Sequence, residues 1–263
     1  MEIVILFSIA LIIGIIGAIA GIGGGALLVP VLLIAGVDAH TAVGTSVACV
    51  TITGLSSYFA YRRGGVVDTK LGLILQVTAI PGALIGSFLS VNTHPVILEK
   101  MLGIFLFLIV ILIWKRESLQ KIRFPIDEMQ MQLQITSKEG KKFAYNPRMT
   151  ILLLTSFIAG VTSGFFGIGG GVFQTPAMII EGIPVLVAVA TSSVMITVTG
   201  FFSYVSHAIL GNFSISYILL TAPGLILGTQ LGAMIARKKL DATYIRYILK
   251  AVLVLFGTII LLR

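Results

Sequence analysis

Residues 21–25 read Gly-Ile-Gly-Gly-Gly, and the same five residues recur at 167–171, an offset of 146. The similarity extends without gaps over 21–58 and 167–204. The identical pairs there include Pro30/Pro176, Gly36/Gly182, Thr45/Thr191, Ser46/Ser192, Thr51/Thr197, Thr53/Thr199, Gly54/Gly200, Ser57/Ser203 and Tyr58/Tyr204. Because self-similarity at a fixed offset marks a repeated unit, the chain is predicted to consist of two copies of one unit of about five segments.

The composition restricts the class of protein to membrane proteins. Of the 263 residues, 57% are apolar and 11% are charged, against ~25% charged in an ordinary soluble domain. The mean hydropathy is +1.08. A soluble globule of this size needs a charged surface that this chain cannot supply, and its single cysteine excludes a disulfide scaffold. These values indicate a polytopic membrane protein.

Long apolar stretches predict the membrane segments, since ~20 apolar residues in a helix span the ~30 Å hydrocarbon core. They lie at 2–20, 39–61, 70–91, 95–114, 148–166, 184–206, 213–235 and 242–262. Two shorter stretches, 24–37 and 170–182, each follow a glycine cluster and cover only ~20 Å as helix. We expect each to complete a crossing together with the extended glycines before it. No basic residue precedes the first stretch, so we expect a retained span and not a cleaved signal peptide.

The charges of the loops predict how the two copies are oriented. Loop 62–70 carries three Lys or Arg residues, whereas its counterpart 207–213 carries none. Loop 91–95 carries none, whereas its counterpart 236–241 carries three. Because Lys and Arg concentrate in cytoplasmic loops, the pattern predicts antiparallel copies, an inverted-topology repeat of the kind found in secondary transporters. A re-entrant alternative would put 62–70 and 207–213 on the same face, against these charges.

A polar stretch at 115–148 separates the two copies. The predicted division is a first transmembrane repeat at 1–114, a cytoplasmic linker at 115–147 and a second transmembrane repeat at 148–263. We expect the linker to be solvated. The predicted fold class is all-α, a polytopic transmembrane helical bundle made of two inverted-topology repeats with glycine-broken helices.

The glycine clusters predict an anion site. Glycine in a helix interior costs ~1 kcal/mol relative to alanine, so the clusters should unwind the helix. A helix that restarts after each cluster has free N–H groups and a positive dipole end near the midplane, and inverted symmetry brings the two ends together. Helix packing through GxxxG explains the glycines outside the clusters. It does not explain the clusters, because such packing needs a continuous helix. Residues 21–26 also match the dinucleotide-binding pattern G-x-G-x-x-A. We reject this interpretation, because no strand precedes the match and Val172 breaks the pattern in the second copy.

Hydroxyl and amide side chains after the clusters are candidates to line the path of the anion. Thr45, Thr53 and Ser57 share a helix face, although interhelical hydrogen bonds worth ~0.6 kcal/mol each explain such groups as well. Gln174 stands opposite Leu28 in the repeat, placed to orient a substrate oxygen. The predicted substrate-binding residues are Gly21, Gly23, Gly24, Gly25, Thr45, Ser46, Gly167, Gly169, Gly170, Gly171, Gln174, Thr191 and Ser192.

Motifs for other chemistry are missing from the sequence. It contains no H-E-x-x-H, no metal-spaced Cys/His set and no G-x-S-x-G, so we predict no enzyme, no catalytic residue, no metal and no cofactor. The net charge of +8 lies in loops, where topology and anionic lipid explain it without nucleic acid. No Asp or Glu lies deep in a span to mark a proton or sodium relay. His40, His94 and His207 lie near loop ends, where each is either structural or carries a coupled proton.

These motifs resemble the sulfite exporter TauE/SafE family. The resemblance rests on G-x-G-G-G followed five residues later by Pro in both copies, on the Thr-Ser pairs at 45–46 and 191–192, and on Pro81-Gly82 and Pro223-Gly224, which align after a small gap. It covers nearly the whole chain except the linker. It implies an integral inner-membrane transporter of small sulfur-containing anions such as sulfite or organosulfonates. It also implies backbone donors at 23–25 and 169–171 and hydroxyl donors from both Thr-Ser pairs.

The function predicted first is a secondary transporter, an exporter that works by alternating access. An anion channel with the same filter is the first alternative, and a non-transporting membrane sensor or scaffold, supported only by the linker, is the second. The predicted partners are a small anionic sulfur compound and the lipid bilayer. The sequence leaves the oligomeric state open, with a homodimer as one option, and it does not determine the substrate, the direction or the coupling ion.

Overall fold

The computed structural model describes residues 2–119, 131–138, 140–237 and 242–262. The first copy contains α1 (Glu2–Ala20), α2 (Gly25–Ile34), α3 (Ala39–Arg62), α4 (Thr69–Ile74), α5 (Gln76–Val91) and α6 (Pro95–Leu119). Between the copies lie β1 (Leu133–Thr136) and β2 (Lys142–Tyr145). The second copy contains α7 (Met149–Phe166), α8 (Gly171–Ile180), α9 (Val185–Ile209), α10 (Ile215–Arg237) and α11 (Ala242–Leu262). The predicted all-α helical fold is confirmed, with the segment 70–91 divided into α4 and α5.

The helices fall into long and short classes. Among the described residues, α3, α7, α9 and α10 are long and apolar enough to cross a membrane. Helices α2 and α8 have ten residues each, which gives ~15 Å of helix. Helix α2 is buried along nearly its whole length, as expected of a helix that is apolar on all sides. A crossing at α2 or α8 therefore needs the extended residues before it.

The glycine clusters break the helices as the sequence predicts. Positive φ angles between 70° and 78° occur at Gly21, Gly23, Gly24, Gly167 and Gly169. Residues with a Cβ rarely adopt this conformation, so α1 ends at Ala20 and α2 begins at Gly25. The chain also folds back on α1, because a Cβ added to Gly17 would lie 2.5 Å from the Gly24 nitrogen.

The offset of 146 continues into the helices that follow the glycine clusters. Helix α5 packs on α7 and α10 packs on α1. A Cβ added to Gly82 would meet the Phe157 carbonyl oxygen, and one added to Gly228 would meet the Leu11 carbonyl oxygen, which is the equivalent atom. Gly82 therefore corresponds to Gly228, and the predicted gapped match of Pro81-Gly82 to Pro223-Gly224 is wrong. The gapped match pairs Gly82 with a residue four positions before its structural counterpart. Four residues are about one helical turn, so both residues lie on the same helix face and the two alignments look alike in sequence.

Helices α3 and α9 meet at the centre and run antiparallel. A Cβ added to Gly54 would lie 2.7 Å from the Thr197 nitrogen, and one added to Gly200 would lie 2.8 Å from Thr51 Oγ1. The residue numbers therefore rise along one helix and fall along the other. Because glycine lacks a side chain, the two backbones approach closely at this crossing.

Part of the polar stretch between the copies packs against the bundle. Strands β1 and β2 pair antiparallel, and Leu133 and Tyr145 are buried in a cluster with Leu71 of α4. The Tyr145 hydroxyl donates to Asp68 Oδ2 at 2.6 Å. Burial and the neighbouring Asp68 carboxylate raise the pKa of Tyr145, so the hydroxyl keeps the proton that it donates. The expectation of a solvated linker is wrong for this hairpin, because alternate strand residues supply an apolar face; residues 120–130 lie outside the described residues.

Candidate functional site

The two glycine segments meet at the centre of the bundle. A Cβ added to Gly25, where α2 begins, would lie 2.7 Å from the Gly167 carbonyl oxygen. The equivalent Cβ on Gly171, where α8 begins, would meet the Gly21 carbonyl oxygen. Each restarted helix therefore begins against the unwound backbone of the other copy. All residues of both clusters are buried.

Four hydroxyl groups hold the unwound backbone in place, among them Thr53, whose Oγ1 donates to the Gly23 carbonyl at 2.8 Å. Ser46 Oγ donates to the Gly167 carbonyl at 2.7 Å, and its counterpart Ser192 donates to the Gly21 carbonyl at 3.1 Å. Thr175 Oγ1 donates to the same Gly21 carbonyl at 2.7 Å. These bonds satisfy carbonyl groups that the broken helix leaves without a partner. Sequence reasoning missed Thr175, although its counterpart is an apolar valine and the second copy gains a hydroxyl there.

Thr45 and Thr191 make a different pair of equivalent contacts. The Ser214 backbone N–H donates to Thr45 Oγ1 at 2.9 Å, and the Asp68 backbone N–H donates to Thr191 Oγ1 at 3.0 Å. Each threonine thereby fixes the end of a loop from the other copy. The structure brings the predicted serines to the glycine backbone, whereas it assigns Thr45 and Thr191 to these loop ends.

Gln174 is a buried polar side chain that the structure leaves unused at this site. It lies in the first turn of α8, is fully buried, and has no hydrogen-bond partner for either amide atom among the described residues. Its counterpart in α2 is Leu28, which is buried too. An unpaired buried amide destabilises the folded state by ~1–3 kcal/mol. Such a group marks a place where a ligand can supply the missing bonds.

Hydrocarbon side chains cover both glycine clusters. A Cβ added to Gly23 would lie 2.8 Å from Ile196 Cγ2, and one added to Gly169 would lie 2.8 Å from Val50 Cγ1. Val50 and Ile196 are equivalent residues of α3 and α9, and each lies against both clusters, because Cβ atoms added to Gly25 and Gly171 would also meet Val50 and Ile196. An anion therefore reaches the glycines of this conformation only if these side chains or their helices move.

The two clusters differ in backbone conformation at one position. Gly24 has φ 74°, whereas its counterpart Gly170 has φ −65°, which any residue adopts. A Cβ added to Gly170 would lie 3.4 Å from the nearest atom, the Ala159 carbonyl oxygen, an ordinary contact. Of the predicted site glycines, Gly170 is thus not required to be glycine by its own backbone.

A basic hollow opens on the face where α3 ends. It has a volume of about 420 Å³ and is lined by Phe59, Arg62, Arg63 and Lys138. The Arg62 guanidinium also lies 5.5 Å from the centre of the Tyr58 ring. A recess lined by one sign of charge raises the local concentration of ions of the opposite sign. This surface attracts anions to the end of α3.

Groups of His, Cys, Asp and Glu suited to hold a metal do not occur within the described ranges. The site is built from backbone groups, hydroxyls and one amide. These are neutral hydrogen-bonding groups, of which the N–H and amide groups supply the donors that an anion needs.

Two broken helices that begin against each other inside an apolar helical bundle are an arrangement that many secondary transporters share. The chain belongs to the sulfite exporter TauE/SafE family, which it matches over residues 6–260. It is a membrane transporter of that family.

Two individual relatives cover nearly the same length, and a third covers a shorter part. The probable membrane transporter protein YunE of Bacillus subtilis is 34% identical over 98% of this chain and 96% of its own. The probable membrane transporter protein MJ0441 of Methanocaldococcus jannaschii is 29% identical over 98% of this chain and 95% of its own. Sulfite exporter TauE/SafE family protein 6 of Arabidopsis thaliana is 33% identical over 32% of this chain and 20% of its own. No solved structure matches the chain.

Proposed function

We propose that this protein exports small sulfur-containing anions, such as sulfite or organosulfonates, across the cell inner membrane by alternating access. The observation that carries the proposal is the buried amide of Gln174, which has no partner among the described residues and lies where α8 begins. The family name and the printed name of the Arabidopsis relative support the substrate class.

The meeting of two helix N-termini favours an anionic ligand. Each N-terminus presents N–H groups without a partner inside the helix and carries roughly half a positive charge. Sulfite and sulfonates combine a negative charge with three acceptor oxygens, which suit several N–H donors and the Gln174 amide. Neutral donors hold the anion less tightly than a buried lysine would, so the anion can leave.

We propose that the two copies form an inverted-topology repeat with the hairpin in the cytoplasm. The antiparallel crossing of α3 and α9 supports this, and α6 and α11 follow the same rule. Lys100 donates to the Leu261 carbonyl at 2.8 Å, while Gly257 lies against Phe107. A twofold axis in the membrane plane relates equivalent helices in this way.

Cysteine labelling tests the orientation. The native Cys49 is buried, so Thr136→Cys in the hairpin and Leu210→Cys in the exposed loop after α9 supply the reactive thiols. We expect an impermeant maleimide added outside intact cells to label Leu210→Cys and to reach Thr136→Cys only after lysis. Labelling of both residues from one side would contradict the inverted arrangement.

We propose that Val50 and Ile196 form the closure that moves during transport. Each lies against both glycine clusters, so a shift of one copy against the other changes the cover over both. The crossing of α3 and α9, where both side chains lie, is the natural place for this movement. Alternation between two packed arrangements separates a transporter from a channel with a continuous path.

Proteoliposomes test the function. We expect purified protein to carry radiolabelled sulfite with saturable kinetics and to show counterflow, with methanesulfonate competing and chloride not. An anion flux that is proportional to the anion conductance of the membrane and shows no counterflow would favour an anion channel. If neither sulfite, methanesulfonate, thiosulfate nor sulfate gives flux above that of protein-free liposomes, the substrate class is wrong.

A further inference from the structure

His207 is a buried histidine with one ring nitrogen in use. It lies in the last turn of α9 and is fully buried, and its Nε2 lies 3.0 Å from the Gly164 carbonyl oxygen. The carbonyl can only accept, so Nε2 carries the hydrogen and Nδ1 presents a lone pair. Nδ1 is buried and has no partner among the described residues. His207 therefore holds an unused proton acceptor inside the bundle.

The first copy makes the equivalent bond with a different residue. Tyr61 occupies the position of His207, and its hydroxyl donates to the Ala18 carbonyl, the counterpart of Gly164, at 2.9 Å. The scaffold thus needs a donor at this position, and a phenol is sufficient. A structural role alone does not explain the second ring nitrogen of His207.

The surroundings of His207 are polar and almost free of other titratable groups. Ser87 Oγ lies against Gly164, and Ser203 precedes His207 by one helical turn; neither hydroxyl has a partner among the described residues. Helices α5, α7 and α8 contain no Asp, Glu, His, Lys or Arg. From α3, His40 is the titratable group nearest to His207, and Arg62 lies at the far end of that helix. Helix α4 also packs against α9, but its Lys70 and the neighbouring Asp68 lie at the opposite end of α9, where the Asp68 N–H donates to Thr191.

Two further features place His207 between the surface and the glycine site. The loop that follows α9 is exposed at 209–211, and the Asn212 N–H donates to the His207 carbonyl at 3.0 Å. On the other side, Gly164 precedes Gly167 of the second glycine cluster by about one helical turn. A proton can therefore reach His207 from the exposed loop over a short distance, and an anion bound at the second glycine cluster would lie close to His207.

We propose that His207 binds the proton that couples anion transport to proton movement. The inference rests on the proposed function and names its coupling ion. A proton added to Nδ1 creates an imidazolium in a buried site, which is unfavourable alone. An anion at the glycine cluster offsets that charge, so proton and anion each raise the affinity for the other, by linkage. The pair then crosses with little net charge in the direction set by the combined gradients of proton and anion, which is export where the anion is sufficiently concentrated in the cytoplasm.

The test uses the residue that the first copy already employs. His207→Tyr keeps a donor for the Gly164 carbonyl and removes the titratable nitrogen, and His207→Gln does the same with a smaller side chain. His40→Gln is the matched control, because His40 is half-buried and its Nε2 lies 2.9 Å from the Thr93 carbonyl oxygen. Size-exclusion chromatography checks that each variant is folded.

The measurement is accumulation of sulfite and of methanesulfonate in proteoliposomes driven by a pH gradient, with protein-free liposomes as background. One pH unit supports about tenfold accumulation for one proton per anion. We expect wild type and His40→Gln to accumulate the anion, and His207→Tyr and His207→Gln to lose accumulation while counterflow at equal pH remains measurable.

The outcomes separate the two proposals. Wild-type counterflow without accumulation, or accumulation that survives in a folded His207→Tyr or His207→Gln, would overturn the proton site and leave the proposed transport intact. Absence of any wild-type flux of either anion would overturn the proposed function and the coupling with it.

Discussion

The two copies share a scaffold but differ in the polarity of its interior. The bonds that hold the broken helices recur at equivalent positions, as in Ser46 and Ser192. At the start of the short helices the first copy has hydrocarbon where the second has a polar group, with Leu28 opposite Gln174 and Val29 opposite Thr175. Repeated residues therefore maintain the fold, and the unmatched polar residues at the start of α8 are the candidates for handling the substrate.

The largest expected effect is at the contact between the glycine segments. Gly171→Ala places a Cβ against the Gly21 carbonyl and 2.6 Å from Ile196 Cδ1, and overpacking of this kind destabilises the fold by ~1–3 kcal/mol. We expect uptake of sulfite in proteoliposomes to be abolished. The matched control is Gly170→Ala, where the backbone suits alanine; it should keep uptake and gain ~0.4–1 kcal/mol in free energy of unfolding.

If Gly171→Ala and Gly170→Ala take up sulfite equally well, the close approach of the two glycine segments is not needed for transport. Gly24→Leu extends the comparison, since Gly24 has positive φ and a Cβ there would lie 3.1 Å from Ile13 Cγ2. We expect it to lose uptake. Gly170→Leu should lose uptake too, through the bulk of leucine and not through its backbone.

A smaller effect is expected where the copies differ in polarity. Gln174→Leu makes the second copy like the first and removes a buried unpaired amide, so the free energy of unfolding should rise by ~1–3 kcal/mol. Sulfite flux should fall by about tenfold to a hundredfold, because a hydrogen bond to a charged ligand contributes ~1.5–3 kcal/mol. Thermal unfolding in detergent and flux in proteoliposomes measure the two quantities.

The reverse exchange, Leu28→Gln, is the control for that comparison. It adds an unpaired amide to the first copy and should lower stability without raising flux. If Gln174→Leu leaves flux unchanged, the amide does not contact the anion.

The smallest effect on flux is expected at the hairpin, which is bonded to Asp68 of the first copy. Tyr145→Phe removes the hydroxyl that donates to Asp68 Oδ2 and should destabilise the protein by ~1.5–3 kcal/mol, as for a bond to a charged group, with flux preserved. Ser214→Ala changes the equivalent residue of the second copy, where the backbone N–H makes the contact. Ser214→Ala should shift the midpoint of thermal unfolding only slightly. If it shifts the midpoint as much as Tyr145→Phe does, the hydrogen bond from Tyr145 to Asp68 makes no stabilising contribution of its own.

The sequence by itself determined the helical segments, the breaks and the duplication. Long apolar stretches and clustered glycines act locally, through hydrocarbon thickness and backbone freedom, so their consequences can be predicted without coordinates. The identity of the glycine clusters likewise indicated which backbone segments would form the candidate site, and Gln174 was marked by its contrast with Leu28.

Only the tertiary structure decided which groups meet. The pairing of Ser46 with Gly167, the cover formed by Val50 and Ile196, and the bond between Tyr145 and Asp68 all join residues far apart in the chain. The sequence also misaligned the later prolines by one turn, because a helix repeats its face every three to four residues. Which hydroxyl binds which carbonyl depends on how the two copies pack, and that is a property of the whole bundle.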